Sequence, residues 1–293
     1  MPCSMGQGKT TSSENTTGIA MTSVVGRQLF YQEIQQPDED INLERAALYI
    51  ALEEYPDLDV DEYLNALDTM AVEVQERLPN ALYPMKVLQT INQYLFTDLG
   101  YTGNRTEYYD PRNSFLNEVI DRRTGIPITL SLLYLAIAER VGFPMIGINM
   151  PGHFIIRPAV DEMEVFVDPF HQGEILFTQD CEELLVKVFD RRVELRPEYV
   201  EPVGNRQFLG RLLTNLKVIY VNQKEFQKAL DALDRILLLF PTIALEVRDR
   251  GVINYRLNRY TAAREDFEHY LAIAPMAEDA QLIREILEDL PEE

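Results

Sequence analysis

The sequence predicts an α+β protein: a helical N-terminal segment, a small antiparallel sheet packed on a central helix, then α-helical hairpin repeats at the C-terminus. Three observations point there. Apolar residues recur at helical spacing from about residue 40 to 80. An apolar helix, Ile128 to Val141, is followed by three short β-type runs. Beyond about residue 205 the chain becomes helical hairpins that repeat themselves. The expected organisation is a disordered tail over 1–25, a mixed domain over 26–205 and a helical repeat module over 206–293.

The first helix, Asn42 to Glu54, places Leu43, Ala46, Ala47, Ile50 and Ala51 on one face and is stopped by Pro56. Asp59 is the expected cap of a second, with Tyr63, Leu64, Leu67, Met70, Ala71 and Val74 inward, ending before Pro79. A third runs from Pro84 to Leu99, proline being tolerated in a first turn. Gly100 to Asn104 breaks it, and a polar loop continues to Phe115. Gly142 ends the central helix.

The β-type runs are Met145 to Asn149, His153 to Arg157 and Val165 to Asp168, separated by Pro151-Gly152 and by Ala159 to Glu162. A hairpin about the second turn sets His153 opposite Asp168, Ile155 opposite Phe166 and Arg157 opposite Glu164. In the last third, Phe226 and Tyr260, Ala229 and Ala263, Leu233 and Phe267, Leu237 and Leu271, and Pro241 and Pro275 are each 34 residues apart. That period, with aromatic, small residue and closing proline, is the tetratricopeptide pattern. Two copies are too few for a free-standing solenoid, so they are expected to stack on the preceding domain with 278–290 as a capping helix.

With 27 Lys plus Arg against 48 Asp plus Glu, the net charge is −21. Such a field repels phosphate backbones and anionic lipid, which argues against nucleic-acid and membrane-surface roles. No run of about 18 apolar residues is available to span a bilayer. The two cysteines, Cys3 and Cys181, make no disulfide framework and suit a reducing cytoplasm. Gly8-Lys9-Thr10 resembles the end of a phosphate loop, but Cys3 stands where its first glycine belongs.

A histidine on one strand, an acid on the next and a helix start upstream are the parts of a thiol triad, as in enzymes of papain or transglutaminase type. There the cysteine sits at the helix N-terminus, where the macrodipole favours thiolate. Here that helix opens Gly125-Ile126-Pro127. The segment Asp110 to Val119, the run Arg123-Thr-Gly-Ile-Pro-Ile-Thr-Leu-Ser-Leu-Leu-Tyr134, Gly142-Phe-Pro, Pro151-Gly-His-Phe154 and Val167-Asp-Pro-Phe170 resemble the SirB-like proteins over roughly residues 40 to 285. Those have a transglutaminase-like core followed by tetratricopeptide repeats. The resemblance implies an intracellular protein associated by name with regulation. The transglutaminase core that the chain resembles commonly reads Gly-x-Cys with Gly-x-Pro about fifteen residues after the cysteine, and Gly142-Phe-Pro at that spacing sets Pro127 on the cysteine position.

A triad without its attacking atom has no covalent chemistry to do. His153 and Asp168 are then a structural pair, or the floor of a ligand pocket with Tyr109, Arg112 and Asn113 from the polar loop. In that reading the loop residues either brace themselves or face the pocket, and Arg122 and Arg123 hint at an anionic guest. Catalysis would need Thr129, Ser131 or water, although hydroxyls in a first helical turn usually bond within it. Cys181, in a helical stretch beyond the strands, is a poor substitute. His171, past the hairpin's end, is expected as a solvated loop residue rather than a zinc or iron ligand, and His269 as a surface residue. The expectation is therefore a binding, scaffold or regulatory protein holding a protein or peptide partner on its repeats, without cofactor or metal. The alternative is an amide hydrolase or transferase using His153 and Asp168.

Overall fold

The computed structural model describes residues 25–79, 83–160 and 164–291; the expected N-terminal tail, apart from residue 25, lies outside them. Helix α1 occupies 25–33. Helix α2 (Leu43–Ala51) is capped by Asn42, whose side chain accepts from the Arg45 N–H, and α3 (Val60–Arg77) by Asp59, which accepts from Asp61 and Glu62. Helix α4 begins at Pro84 but is α-helical only to Asn92; Gln93–Asp98 widens into a π-helix. A helix of seven residues, α5 (Leu116–Arg122), follows the polar loop, in a stretch for which the sequence gives no expectation.

The central helix α6 (Pro127–Arg140) is buried along most of its length, with Ile128, Leu130, Leu132, Leu133, Tyr134 and Ile137 all sealed from solvent. This is why its apolar residues show no single stripe: it has neighbours on every side. Against it lies an antiparallel meander of β3 (Met145–Ile148), β4 (Ile155–Pro158), β5 (Phe166–Asp168) and β6 (Glu174–Leu176), hydrogen-bonded in that order. Two-residue strands β1 (Thr102–Gly103) and β2 (Thr124–Gly125) pair in parallel beside the start of α6. Helix α7 (Thr178–Phe189) covers the face of the meander that carries Ile148, Ile155, Phe166 and Leu176, burying Cys181 and Leu185 among them and Met150.

The remaining helices are α8 (Asn205–Gln223), α9 (Phe226–Leu239), α10 (Ala244–Arg256), α11 (Tyr260–Ile273) and α12 (Ala280–Asp289). The 34-residue repeat is literal: Phe226 opens α9, Tyr260 opens α11, and Pro241 and Pro275 each follow a helix end. Phe208, Leu212 and Leu216 of α8 and Leu233 and Ile236 of α9 belong to the same apolar core as α6, so the first hairpin shares one core with the mixed region. Helices α10 to α12 close a second core around Val247, Phe267, Tyr270 and Ile283.

Candidate functional site

The helix start is built as expected for a proline opening. Pro127 is the first residue of α6 and half-buried. The helix N-terminus is closed by a side chain further in: Thr129 Oγ1 accepts from the Ile126 N–H at 3.1 Å and donates to the Asn113 carbonyl at 2.7 Å. Thr129 is fully buried, as is Ser131, whose hydroxyl finds no partner among the described residues. A threonine hydroxyl already donating to a buried carbonyl is not poised to attack a substrate.

The hairpin register differs from the expected one by two residues. Ile156 pairs with Val167, so the ladder moves Asp168 away from His153. The reason lies in the turn. Gly152 takes φ +75° and the His153 N–H closes back onto the Met150 carbonyl at 2.9 Å, so His153 belongs to the turn and β4 starts at Ile155. His153 is half-buried, and desolvation holds its pKa below the ordinary 6.5, partly offset by the nearby Asp168 carboxylate. The two make no hydrogen bond.

Asp168 is committed elsewhere. Its Oδ1 accepts the N–H groups of Phe170 (3.0 Å) and His171 (3.2 Å), capping a 3₁₀ turn that begins at Pro169, and its Oδ2 meets His171 Nδ1 at 2.7 Å. His171, expected as a solvated residue past the hairpin, is curled back by that turn and is the imidazole that Asp168 orients. Because the carboxylate accepts, Nδ1 carries the hydrogen and Nε2 is left available. His171 lines an open cleft of about 730 Å³ between residues 102–107 and 170–174. Asn92 fastens the far wall by donating to the Gly173 carbonyl at 2.6 Å.

The pocket assembled from Tyr109, Arg112, Asn113, His153 and Asp168 does not form. Asn113 is fully buried and braces its own loop: Nδ2 donates to the Glu107 (2.7 Å) and Tyr108 (3.3 Å) carbonyls, and Oδ1 accepts from Asn104. Arg112 folds onto Asp110, with Nη2 at 2.6 Å from Oδ2, holding that carboxyl below its usual range. Tyr109 is 64% exposed, above a shallow depression that adjoins the His171 cleft at Thr106 and Glu107. Cys181 has no exposed surface, and burial pushes its thiol up to about 12. Among the described residues no group of three or more His, Cys, Asp or Glu could hold a metal ion, and no helix is long and apolar enough to cross a membrane.

Comparison with known proteins places this geometry in a family. Residues 61–214 match the model of the transglutaminase-like superfamily. The chain belongs to that superfamily. Residues 216–288 match the tetratricopeptide repeat. A UPF0162 protein of Xylella fastidiosa is 38% identical over 87% of this chain and 92% of its own length. One from Vibrio cholerae is 30% identical over 64% and 70%. Human F-box only protein 21 is 31% identical, over 53% of this chain but 26% of its own length. No solved structure matches.

In this transglutaminase-like chain the Asp168–His171 pair is invisible to strand register, which sets His171 past the hairpin's end. Its signal is local: Asp-Pro-Phe-His carries a capping acid followed by proline, the pattern of a tight helical turn. Such a turn brings the third residue back to the acid. The cleft walls had no such signal, because β1 and β2 are two residues each and are set by tertiary contact.

Proposed function

We propose that the protein is a non-covalent binding and scaffold protein of the cytoplasm: a transglutaminase-like core with proline at the nucleophile position, carrying a repeat module for a protein partner. The supporting observation is the opening of α6. Pro127 is its first residue, the hydroxyl of Thr129 is spent on the Asn113 carbonyl, and Cys181 is fully buried with its thiol pushed up to about 12. None of these offers an activated nucleophile. The net charge of −21 disfavours nucleic acid as the partner. Tetratricopeptide repeats generally mediate protein contacts, and here α8 and α10 carry exposed Val218, Val221, Val252 and Tyr255.

The test compares a Cys3→Ser background with the same protein bearing Pro127→Cys. Native Cys181 is expected to resist iodoacetamide, whereas a thiol at 127, half-exposed at a helix N-terminus, is alkylated readily. Neither form is expected to hydrolyse peptide amides. Turnover by the unaltered chain, lost on Thr129→Ala, would overturn the reading.

A second reading has one observation in its favour. If water is activated at all, the base is His171, whose ring is fixed by Asp168 at 2.7 Å and which lines the large cleft. His153 has no such orienting bond. An activity abolished by His171→Ala and retained by His153→Ala would support this reading over the scaffold.

A further inference from the structure

The cleft beside His171 continues into the shallower depression of about 430 Å³ beneath Tyr109, Thr106 and Glu107 lining both. Along this path the rings form a ladder. Tyr109 meets Tyr108 edge-to-face at 5.3 Å, Tyr108 meets Phe170 at 6.1 Å, and Phe170 meets His171 at 5.4 Å. Tyr108 is 38% and Tyr109 64% exposed, unusual for adjacent tyrosines with no apolar cover. The acids flanking the ladder, Glu107 and Glu174, are exposed and enter no ion pair. Of the cations nearby, Arg112 is paired with Asp110, Arg211 stands close enough to Tyr108 to oppose the upward push that burial gives its pKa, and Arg105 sits over the Phe170 ring at 6.0 Å. The last contact is instructive, for the chain itself lays a guanidinium on this surface.

We propose that this continuous cleft docks an extended cationic peptide segment. Its arginine or lysine side chains lie over Tyr109 and the Phe170 face and against Glu107 and Glu174, with the Arg105 guanidinium displaced. Free carboxylates, aromatic faces and a whole-molecule charge of −21 all favour a basic guest. The wall is rigid enough to select one: Gly103 packs so tightly under Phe170 that a Cβ there would stand 2.5 Å from the ring. Asn92 and Asp168 pin the other side through Gly173 and His171. The inference rests on the non-covalent reading above only in treating the cleft as a recognition site.

The experiment titrates full-length protein into a fluorescently labelled, amidated (Gly-Arg)₃ peptide at physiological salt and follows anisotropy. Saturable binding is expected, with none to the (Gly-Glu)₃ counterpart. The Glu107→Gln/Glu174→Gln double variant is expected to bind about tenfold more weakly and Tyr109→Ala several-fold more weakly, both replacing exposed side chains. Arg105→Ala is expected to bind more tightly, because it frees the Phe170 ring. Equal weakening by a remote Glu285→Gln/Glu288→Gln variant on α12 would reduce the effect to diffuse attraction and overturn the proposal. So would weaker binding by Arg105→Ala, which would mean that this guanidinium holds the peptide instead of competing with it, or competition by spermidine as effective as by unlabelled peptide. Amide turnover in a parallel assay would instead sink the non-covalent reading and leave the docking result standing.

Discussion

Thr129 shows how one hydroxyl can be structural where sequence position suggests chemistry. It accepts from the Ile126 N–H and donates to the Asn113 carbonyl, joining the start of α6 to the turn that carries the polar loop. Thr129→Val keeps the shape and leaves two buried backbone groups unpaired, so it is expected to lower stability by about 1–3 kcal/mol, read from urea unfolding. His153 makes a different prediction, one about pH. Its pKa is lowered in the fold by desolvation, so below its ordinary 6.5 the unfolded chain binds the proton that the folded chain refuses. Stability therefore falls as pH drops through and below 6.5 and returns as pH rises. His153→Gln is expected to remove that component: the gap between unfolding midpoints at pH 7.5 and 5.5 should narrow. An unchanged gap would mean that the imidazole is protonated equally in both states.

Among the elements, those that were legible in the sequence carry local instructions. Asn42 and Asp59 announce α2 and α3 as caps, Gly142 ends the central helix at φ +73°, and the 34-residue repeat places α9 and α11 in register. What was not legible depends on distant partners. Strand β6 pairs with β5 alone among the described strands, the π-helical turn at Gln93–Asp98 follows a pattern that reads as plain α-helix, and the slip at β4 comes from a turn that takes up His153. The candidate site divides the same way: the α6 start was legible, but the partner of Asp168 was not. Gly173 tests how much the cleft wall depends on such tertiary fit. It holds φ +72°, and a Cβ there would lie 2.3 Å from Asn92 Oδ1. Gly173→Ala is expected to break the Asn92 contact and cost at least about 1 kcal/mol. Faster hydrogen exchange across 170–176, with α12 unaffected, is the signature that checks it.

On the scale of the whole molecule, the repeats and the core are joined by apolar packing and by ion pairs, among them a chain that centres on Glu53. Arg235 of α9 is 3% exposed and is paired with Glu53 in the turn after α2, while Arg27 of α1 reaches Glu53 at 3.0 Å, Asp231 at 3.1 Å and Asp234 at 3.2 Å. Burial presses the Arg235 pKa downward, opposed by Glu53. Glu53→Gln leaves that guanidinium buried without its counter-charge and is expected to destabilise by about 3–5 kcal/mol. The loss should appear in a single urea transition covering α6, α8 and α9, because these helices share one core. Replacing both partners, Glu53→Met with Arg235→Met, removes the stranded charge, and Arg27 still keeps Asp231 and Asp234. That double variant is expected to recover most of the lost stability. Recovery would show that the pair fixes how the first hairpin seats on the core without supplying much of the free energy that holds it there. If the double variant is as unstable as Glu53→Gln alone, the apolar core that α8 and α9 share with α6 is not sufficient, and the charge chain is what keeps the repeats docked.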